Sequence, residues 1–276
     1  MLKRFRFILI ISCLAFLGKA NAQFDDPQTL EVGAHVGTSY YIGDINPSKH
    51  FAQPDLQFGA VVRYNLNSRW TVRMDYAYAT VKATDEVIKW RPERGLGFRT
   101  VIHDLGFVAE FNFLEYFTGN PKRNCSPYLF GGVSCFLYAP YSTTDSIGAA
   151  LRPMNTEHLE KPYGLLAKTS PMALGISIPF GFGVKLSISK HVGMTLEWRL
   201  HKTFTDYLDD CGTVYPDEEY HAIGENGYDY TDPTGNYSAG MQRGNAAFKD
   251  WYGMARVSFT WKINLPDGRG CNLSKF

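Results

Sequence analysis

The stretch "GMTLEWRLHKTFTDYLDD", from Gly193 to Asp210, carries the clearest structural signal in the chain. In its first half, apolar residues at even positions alternate with polar and charged residues at odd positions. Successive side chains of a β-strand point to opposite faces, so this pattern predicts a strand with one apolar and one charged face. The apolar row consists of Met194, Leu196, Trp198 and Leu200.

Seven further segments alternate or nearly alternate in the same way. Each is about 10 to 13 residues long, enough for a tilted strand to cross a bilayer. In one of them, "SPYLFGGVSCFLY" (126–138), both faces are apolar, and the pattern leaves open which face points outward. Aromatic residues make up 15% of the chain and glycine occurs 26 times, which is typical of an all-β protein.

The connections between these segments alternate between short or moderate and long. A soluble lipocalin-like barrel would also alternate, with its apolar face inward. Aromatic residues near the ends of the apolar rows, and long connections that all fall at one end, favour the inverted arrangement. We therefore predict a closed eight-stranded antiparallel transmembrane β-barrel of the outer-membrane type, with long extracellular loops. The long connections are expected at 42–55, 83–100, 139–176 and 205–250, and the shorter ones at 65–69, 114–126 and 189–192.

The N-terminal sequence "MLKRFRFILIISCLAFLGKANA" has the pattern of a secretory signal peptide. A basic start precedes an apolar run that is too short for a spanning helix, and an A-x-A site predicts cleavage between Ala22 and Gln23. The alternative, lipoprotein cleavage before Cys13, is disfavoured because the apolar run continues past it. The expected organisation is a signal peptide at 1–22, a barrel at 23–263 and a periplasmic tail at 264–276.

Loss of the signal peptide leaves 24 basic against 27 acidic residues, a net charge of −3. This balance argues against nucleic acid as a partner. The predicted location is the outer membrane of a Gram-negative cell, with the short turns and both termini in the periplasm.

The faces opposite the apolar rows carry five positive and five negative side chains. Eight strands enclose a space that side chains fill, and a buried charge persists only when it is paired. We therefore predict a salt-bridged, plugged interior and not a channel. The predicted network is Glu31, Arg63, Arg73, Asp75, Asp104, Glu110, Lys185, Glu197, Arg199 and Arg256.

Motifs for catalysis or metal binding are weak. The seven histidines lack zinc-site spacing, and there is no GxSxG motif or phosphate-cradling loop. A Ser-His-Glu set around His35 and His201 can be assembled, but a chain of this size offers such sets by chance. We expect no enzyme, cofactor or metal. Asp206, Asp209 and Asp210 could bind a hard cation, although a solvated acidic loop with Tyr207 at the membrane interface is the preferred interpretation.

Four cysteines remain after signal cleavage. The predicted topology places Cys125 and Cys271 on the periplasmic side and Cys135 and Cys211 near the outer side. Of the three possible connectivities, only 125–271 with 135–211 avoids crossing the membrane. Secretion makes these disulfides chemically plausible.

Three stretches resemble a known family. "RLHKTFTDYLDDCGTVYP" (199–216) is similar to a signature of the PorG-like outer-membrane β-barrels of Bacteroidetes, components of the type IX secretion system that also support gliding motility in some bacteria. "GTSYYIGDINP" (37–47) and "FKDWYGMARVSFTWKI" (248–263) resemble that family's first hairpin and closing strand. Cys211 stands where an apolar residue is expected. The matching motif residues are Thr203, Asp206, Tyr207, Leu208, Asp209 and Asp210.

The resemblance implies a non-enzymatic barrel that ties a periplasmic ring to the outer membrane. Its implied partners are outer-membrane lipids and ring proteins similar to PorK and PorN, met by the connection 114–126 and the tail 264–276. Two other functions stay open on the residues alone: a general small barrel, porin-like or making surface contacts, and a lipid-modifying enzyme.

Overall fold

The structure is a computed structural model that describes residues 28–144, 147–161, 163–164, 166 and 169–265. The predicted signal peptide with its cleavage site, and Cys271 in the predicted tail, lie outside the described residues. Among the helices of the described segments, none is long and apolar enough to cross a membrane.

Eight antiparallel strands pair in sequence order, and the last pairs with the first, so the sheet is a closed barrel. This confirms the predicted fold, a closed eight-stranded barrel of the outer-membrane type. At the seam, Ile42 is the register partner of Trp251 and Thr29 that of Asn264. The strands are β1 (Thr29–Ile42), β2 (Asp55–Asn65), β3 (Trp70–Thr84), β4 (Gly97–Asn112), β5 (Cys125–Ser142), β6 (Ala173–Ser187), β7 (Val192–Thr203) and β8 (Trp251–Asn264).

The connections divide between the two ends of the barrel, as predicted. We call the end with connections 66–69, 113–124 and 188–191 the turn end, and the end with 43–54, 85–96, 143–172 and 204–250 the loop end. In the described part of the chain, the loop end holds two one-turn helices and two 3₁₀ turns. These are α1 (Asp85–Ile88), α2 (Leu151–Met154), Pro92–Arg94 and Glu218–Tyr220.

Two long connections are shorter than predicted because the strands continue further. The expected 83–100 and 139–176 become 85–96 and 143–172. Near the loop end, successive residues such as Ala79, Thr80 and Val81 are all buried. The alternation continues there with its sides exchanged, because Ala79, Val81 and Ala83 point inward into the apolar core while Lys82 points outward. The outward apolar row that marks the strand in the sequence therefore ends before the strand does.

The outer wall of the barrel is an apolar belt. Outward residues of neighbouring strands are exposed, and aromatic rings lie near both ends of the belt. On β5 the odd-numbered residues, such as Leu129 and Val133, point outward, which resolves the direction that the sequence left open. Ring contacts occur at the turn end between Trp70 and Phe111 and at the loop end between Phe180 and Trp251.

Large inward side chains of β5 fit against glycines of β6. A Cβ placed on Gly183 would lie 2.8 Å from the ring of Tyr128, and one on Gly181 would lie 2.9 Å from the ring of Phe130. The glycines therefore make room for two aromatic rings that fill the interior.

Candidate functional site

Eight of the ten predicted interior charges form one ion-paired network at the middle of the barrel. Each of the eight is at most 5% exposed. Arg73 lies at its centre, 2.6 Å from Glu110, 2.5 Å from Glu197 and 3.5 Å from Asp75. Because β2, β3, β4, β6, β7 and β8 all contribute side chains, the network links most of the wall.

The remaining pairs connect to the same three carboxylates. Arg256 lies 3.3 Å from Asp75 and 2.8 Å from Glu197. Lys185 and Arg63 both contact Glu110, at 2.5 and 3.3 Å. Arg199 pairs with Asp75 at 2.7 Å and with Glu197 at 3.0 Å.

Glu31 and Asp104 are buried in the interior like the other eight, but among the ion pairs of the described residues none joins them to the cations of this centre. Glu31 accepts hydrogen bonds from Thr118, Thr260 and Asn65 nearer the turn end. Asp104 accepts a hydrogen bond from Tyr252, 2.9 Å away, on the loop-end side. The centre therefore has five cations in contact with three carboxylates, and Glu31 and Asp104 lie outside ion-pair distance of those cations.

Aromatic rings fill the space beside the charges. The ring of Phe130 lies 4.9 Å from the Arg73 guanidinium and 5.0 Å from that of Arg199. Tyr128 donates a hydrogen bond of 2.6 Å to Glu197 and lies under the Lys185 ammonium, 4.9 Å away. The interior at this level is a packed polar plug.

The histidine set considered from the sequence lacks hydrolytic geometry. His201 Nδ1 lies 3.0 Å from Ser177 Oγ, 3.5 Å from Ser134 Oγ and 3.8 Å from Asp104. A catalytic histidine uses one ring nitrogen for the nucleophile and the other for the carboxylate, whereas here all three groups face one nitrogen. The His201 ring is also fully buried and stacked on Tyr252, at 4.2 Å between ring centroids.

The acidic motif is folded into a cap over the loop end of the barrel, so the preferred interpretation of a solvated loop was wrong. Asp206, Asp209 and Asp210 are 3%, 3% and 2% exposed. Leu208 is fully buried in the apolar core between the connections and the strands. Thr203 donates a 2.6 Å hydrogen bond to the backbone carbonyl of Asp250.

Each acid of the motif has identified partners. Asp210 accepts hydrogen bonds from Thr156 at 2.5 Å and from Tyr163 at 2.6 Å. The Tyr163 ring also stacks on Tyr207, with 4.4 Å between centroids. Asp206 lies 3.5 Å from the Lys249 ammonium. The motif thereby locks the 143–172 connection onto the 204–250 connection.

Asp209 and Asp250 share the phenol of Tyr41. The Tyr41 oxygen lies 2.6 Å from Asp209 Oδ2 and 2.7 Å from Asp250 Oδ1. The other oxygen of each carboxyl accepts a hydrogen bond from a backbone N–H. Asp209 Oδ1 accepts from Cys211 at 3.0 Å, and Asp250 Oδ2 accepts from Leu208 at 2.9 Å. A phenol donates only one hydrogen, so the arrangement is satisfied when one carboxyl is protonated and donates to Tyr41.

The electrostatics of the cap agree with such a shared proton. Burial, followed by the charge of Asp250, raises the pKa of Asp209 well above its usual range. Burial likewise raises the pKa of Asp250. It also raises the pKa of Asp206 and of Asp210 to about 6.

Three charged residues that sequence reasoning missed complete the cap. Glu157 accepts hydrogen bonds from the backbone of Gly212 at 2.8 Å and from Arg243 at 3.2 Å. Arg94 pairs with Asp85 at 2.7 Å and donates to the carbonyl of Arg243 at 2.9 Å. They come from three separate connections without periodicity, so no spacing in the sequence could join them.

Asp44, Asp209 and Cys211 bring potential metal-ligand atoms within 4.8 Å of one another. The donor set does not fit a cation, because both Asp209 oxygens accept hydrogen bonds and the Cys211 thiol donates to the Arg243 carbonyl at 3.2 Å. The Arg94 guanidinium already lies 3.9 Å from the Cys211 sulfur. Burial raises the pKa of Cys211 well above its usual range, which keeps it a thiol.

The predicted Cys135–Cys211 disulfide is wrong. Both are free cysteines; Cys135 is exposed on the outer wall of β5, while Cys211 is buried inside the cap. Cys125 is exposed at the start of β5, and its pairing with Cys271 stays a prediction because Cys271 lies outside the described residues.

Comparisons with solved structures find other barrels at low identity. Neisserial surface protein A is 10% identical over 86% of this chain and 97% of that chain, with a TM-score of 0.42. A major outer membrane protein from Thermus thermophilus is 10% identical over 85% and 99%, with a TM-score of 0.41. The outer membrane protein OprG from Pseudomonas aeruginosa is 10% identical over 88% and 98%, with a TM-score of 0.38.

No curated protein matches the chain in sequence. The family described as a domain of unknown function, DUF6089, matches residues 4–150, which is more than half of the 276 residues and includes β1 to β5. The chain therefore belongs to the DUF6089 family.

Proposed function

We propose that this protein is a non-conducting β-barrel of the bacterial outer membrane that serves as a structural anchor, and that it is not an enzyme. The observation that carries this proposal is the packed interior, in which a buried ion-paired network fills the middle and a folded cap closes the loop end. A closed sheet leaves no backbone edge open in hydrocarbon, and the apolar belt suits lipid.

The orientation follows the usual arrangement of such barrels, with short turns in the periplasm and long connections outside. The test is heat-modifiable migration in detergent gels together with protease treatment of intact cells. Cleavage confined to 43–54, 85–96, 143–172 and 204–250 is expected. A protein that stays soluble without detergent after signal removal would overturn the membrane location.

Conductance separates the anchor from a porin. Because the interior charges are paired and buried, we expect planar bilayers containing the purified barrel to show no stable open channel. A large, steady conductance would favour the porin function.

The finer role that we propose is an anchor for type IX secretion. It is supported by the resemblance of 199–216, 37–47 and 248–263 to the PorG-like barrels. In this chain the 199–216 motif builds the cap, so its acids are occupied by internal contacts. The surface for periplasmic ring proteins similar to PorK and PorN then belongs at the turn end.

The turn end offers a basic surface for such a partner. Lys122 and Lys190 are exposed there, and Lys262 reaches the carbonyl of Thr118. The experiment restores a deletion strain with Lys122→Glu/Lys190→Glu or with the matched loop-end variant Lys89→Glu/Lys161→Glu. We expect only the turn-end variant to reduce cargo secretion and co-purification of the ring proteins.

Two outcomes contradict parts of this proposal. If full deletion leaves cargo secretion normal, the secretion role is wrong and the general anchor remains. If both double variants behave like the wild type while the deletion does not, the role survives and the turn-end surface is wrong.

A further inference from the structure

A cleft of about 580 Å³ opens on the outside of the barrel, at the boundary between the apolar belt and the loop end. Its walls come from three connections and from the ends of β1 and β8. The residues that matter below are Ile42, Asp44, Trp90, Arg91, Phe248 and Trp251, with Lys249 at the rim.

The apolar wall of the cleft continues the belt. Ile42 and Trp251 are register partners across the β1–β8 seam, and both belong to the outward rows. Trp90 and Phe248 stand above them and are 60% and 72% exposed. Large apolar side chains this exposed mark an interaction surface. Because Trp251 and Ile42 lie at the loop-end edge of the belt, the cleft opens toward the outer leaflet.

Three cationic side chains lie in or beside the cleft, and Lys202 adjoins it through the ring of Trp251. Lys202 is the register partner of Trp251, and its ammonium lies 5.7 Å from that ring. Arg91 and Lys249 line the cleft itself. All three reach solvent; the side chain of Lys249 is 43% exposed even though it lies 3.5 Å from Asp206.

The acids nearby take up part of this charge, since Glu93 pairs with Arg91 and Asp206 with Lys249, but a solvent-exposed pair such as Arg91–Glu93 is weak. Asp44 accepts a 2.6 Å hydrogen bond from the backbone of Asn245, and burial raises its pKa. Glu93 is exposed and lies 3.6 Å from Arg91. The buried Arg94 beneath the cleft is occupied by Asp85 and by carbonyl groups. An anionic group at the cleft can therefore compete with Glu93 for Arg91 and approach the solvent-exposed parts of Lys249 and Lys202.

We propose that this cleft binds a phosphate-bearing amphiphile of the outer leaflet, with acyl chains on the Ile42–Trp251–Phe248 wall and the phosphate at Lys202, Arg91 and Lys249. Apolar surface and cationic groups at the depth of the headgroups recognise the two parts of such a molecule. The inference rests on the proposed outer-membrane location. It adds a lipid-binding site that the anchor role does not require.

The test uses the full-length barrel refolded in a neutral maltoside detergent. Native mass spectrometry and tryptophan fluorescence measure binding of a bis-phosphorylated acylated disaccharide of the lipid A type. The dephosphorylated lipid and inorganic phosphate serve as comparisons. The variant Arg91→Gln/Lys202→Gln removes two rim charges and leaves Lys249 with Asp206. The matched control Arg99→Gln/Lys161→Gln removes one exposed arginine and one exposed lysine that do not line the cleft.

We expect the phosphorylated lipid to bind, and the rim variant to weaken that binding about tenfold while the control does not. If both variants weaken binding of the phosphorylated lipid equally, the general surface charge accounts for the effect, and the proposed site is wrong. Equal binding of the dephosphorylated lipid would overturn phosphate recognition. Equal binding of inorganic phosphate would make this a small-anion site. If the barrel inserts into vesicles but fails these tests, only the lipid site is refuted. If the protein is soluble without detergent, the proposed outer-membrane location is refuted.

Discussion

Arg199 on β7 forms a bidentate ion pair with Asp75 on β3, at N–O distances of 2.7 and 3.0 Å. These strands are separated by three others along the sheet, so the pair ties opposite walls of the barrel together across its interior. Arg73 and Arg256 contact the same carboxylate. Asp75 therefore contacts three buried guanidinium groups, and it shares the compensation of their charge with Glu110 and Glu197.

Replacing Asp75 with asparagine should strongly destabilise the barrel. Removing one partner of a buried pair leaves charge uncompensated, at a cost of about 3–5 kcal/mol. Denaturant unfolding of the barrel in lipid vesicles measures the change. The control is Asp55→Asn, whose pair with Lys82 at 3.3 Å is partly exposed and should change stability by less than about 1 kcal/mol. Similar losses for both variants would contradict the central role of Asp75.

A charge on the outward face should block insertion where the belt meets lipid. Leu196 on β7 and Val214 in the cap are both 46% exposed, so they differ in surroundings and not in exposure. Leu196→Arg is expected to destabilise the inserted barrel by about 2–4 kcal/mol. Val214→Arg should be nearly neutral because water surrounds it. Heat-modifiable migration measures how much of each variant inserts into vesicles. Equal insertion of the two variants would contradict the assigned lipid face.

Glycines of the sheet should tolerate substitution according to the side on which they lie. A Cβ on Gly183 would lie 2.4 Å from the backbone carbonyl oxygen of Leu196 and 2.8 Å from the ring of Tyr128, so Gly183→Leu clashes with both. Gly131 on β5 has nothing within 4 Å of its Cβ position. We expect Gly183→Leu to cost about 1–3 kcal/mol or more by overpacking, and Gly131→Leu to be tolerated in lipid. The unfolding midpoints of the two variants in vesicles test this difference, and equal midpoints would contradict it.

The barrel wall was predictable because its signal is local. Alternation along β7, with Leu196 and Trp198 on one side and Glu197 and Arg199 on the other, follows from strand geometry alone. Inward positions of the charged residues follow from the same parity. Which charges meet depends on register and on depth along the strand, so parity alone does not show that Glu31 and Asp104 lie to either side of the centre.

The cap was not predictable in the same way. Its contacts join residues far apart in sequence, such as Tyr41 with Asp209 and Arg94 with the carbonyl of Arg243. Acids in a glycine- and tyrosine-rich connection have the composition of a solvated loop, and only tertiary packing reveals that they are buried. The motif itself was identified by resemblance, but its structural role as a cap comes from these contacts.

The shared phenol of Tyr41 predicts that the cap is more stable at acidic than at alkaline pH. Asp209 and Asp250 have a raised pKa in the fold, so the folded cap binds more protons than the unfolded chain. Their contribution is complete below the ordinary aspartate pKa of about 3.9 and is lost as pH rises through the folded pKa. Asp206 and Asp210, with a pKa of about 6, lose theirs between roughly pH 4 and 6.

Amide hydrogen exchange across 204–250, corrected for the intrinsic effect of pH on exchange, should therefore show greater protection at pH 5 than at pH 8. Asp250→Asn tests the cause, because its amide can accept the Leu208 N–H and donate to Tyr41, replacing the shared proton with a permanent one. We expect this variant to keep the cap folded and to reduce the loss of protection above pH 6.

The charges that remain around the site are Asp44, Asp206, Arg94 and Lys249. Asp217→Asn, on the exposed part of the same connection, is the matched control and should leave the pH dependence unchanged. Protection that is equal at both pH values in the wild type, or an Asp250→Asn cap that opens at pH 5, would show that no proton is shared between these carboxyls.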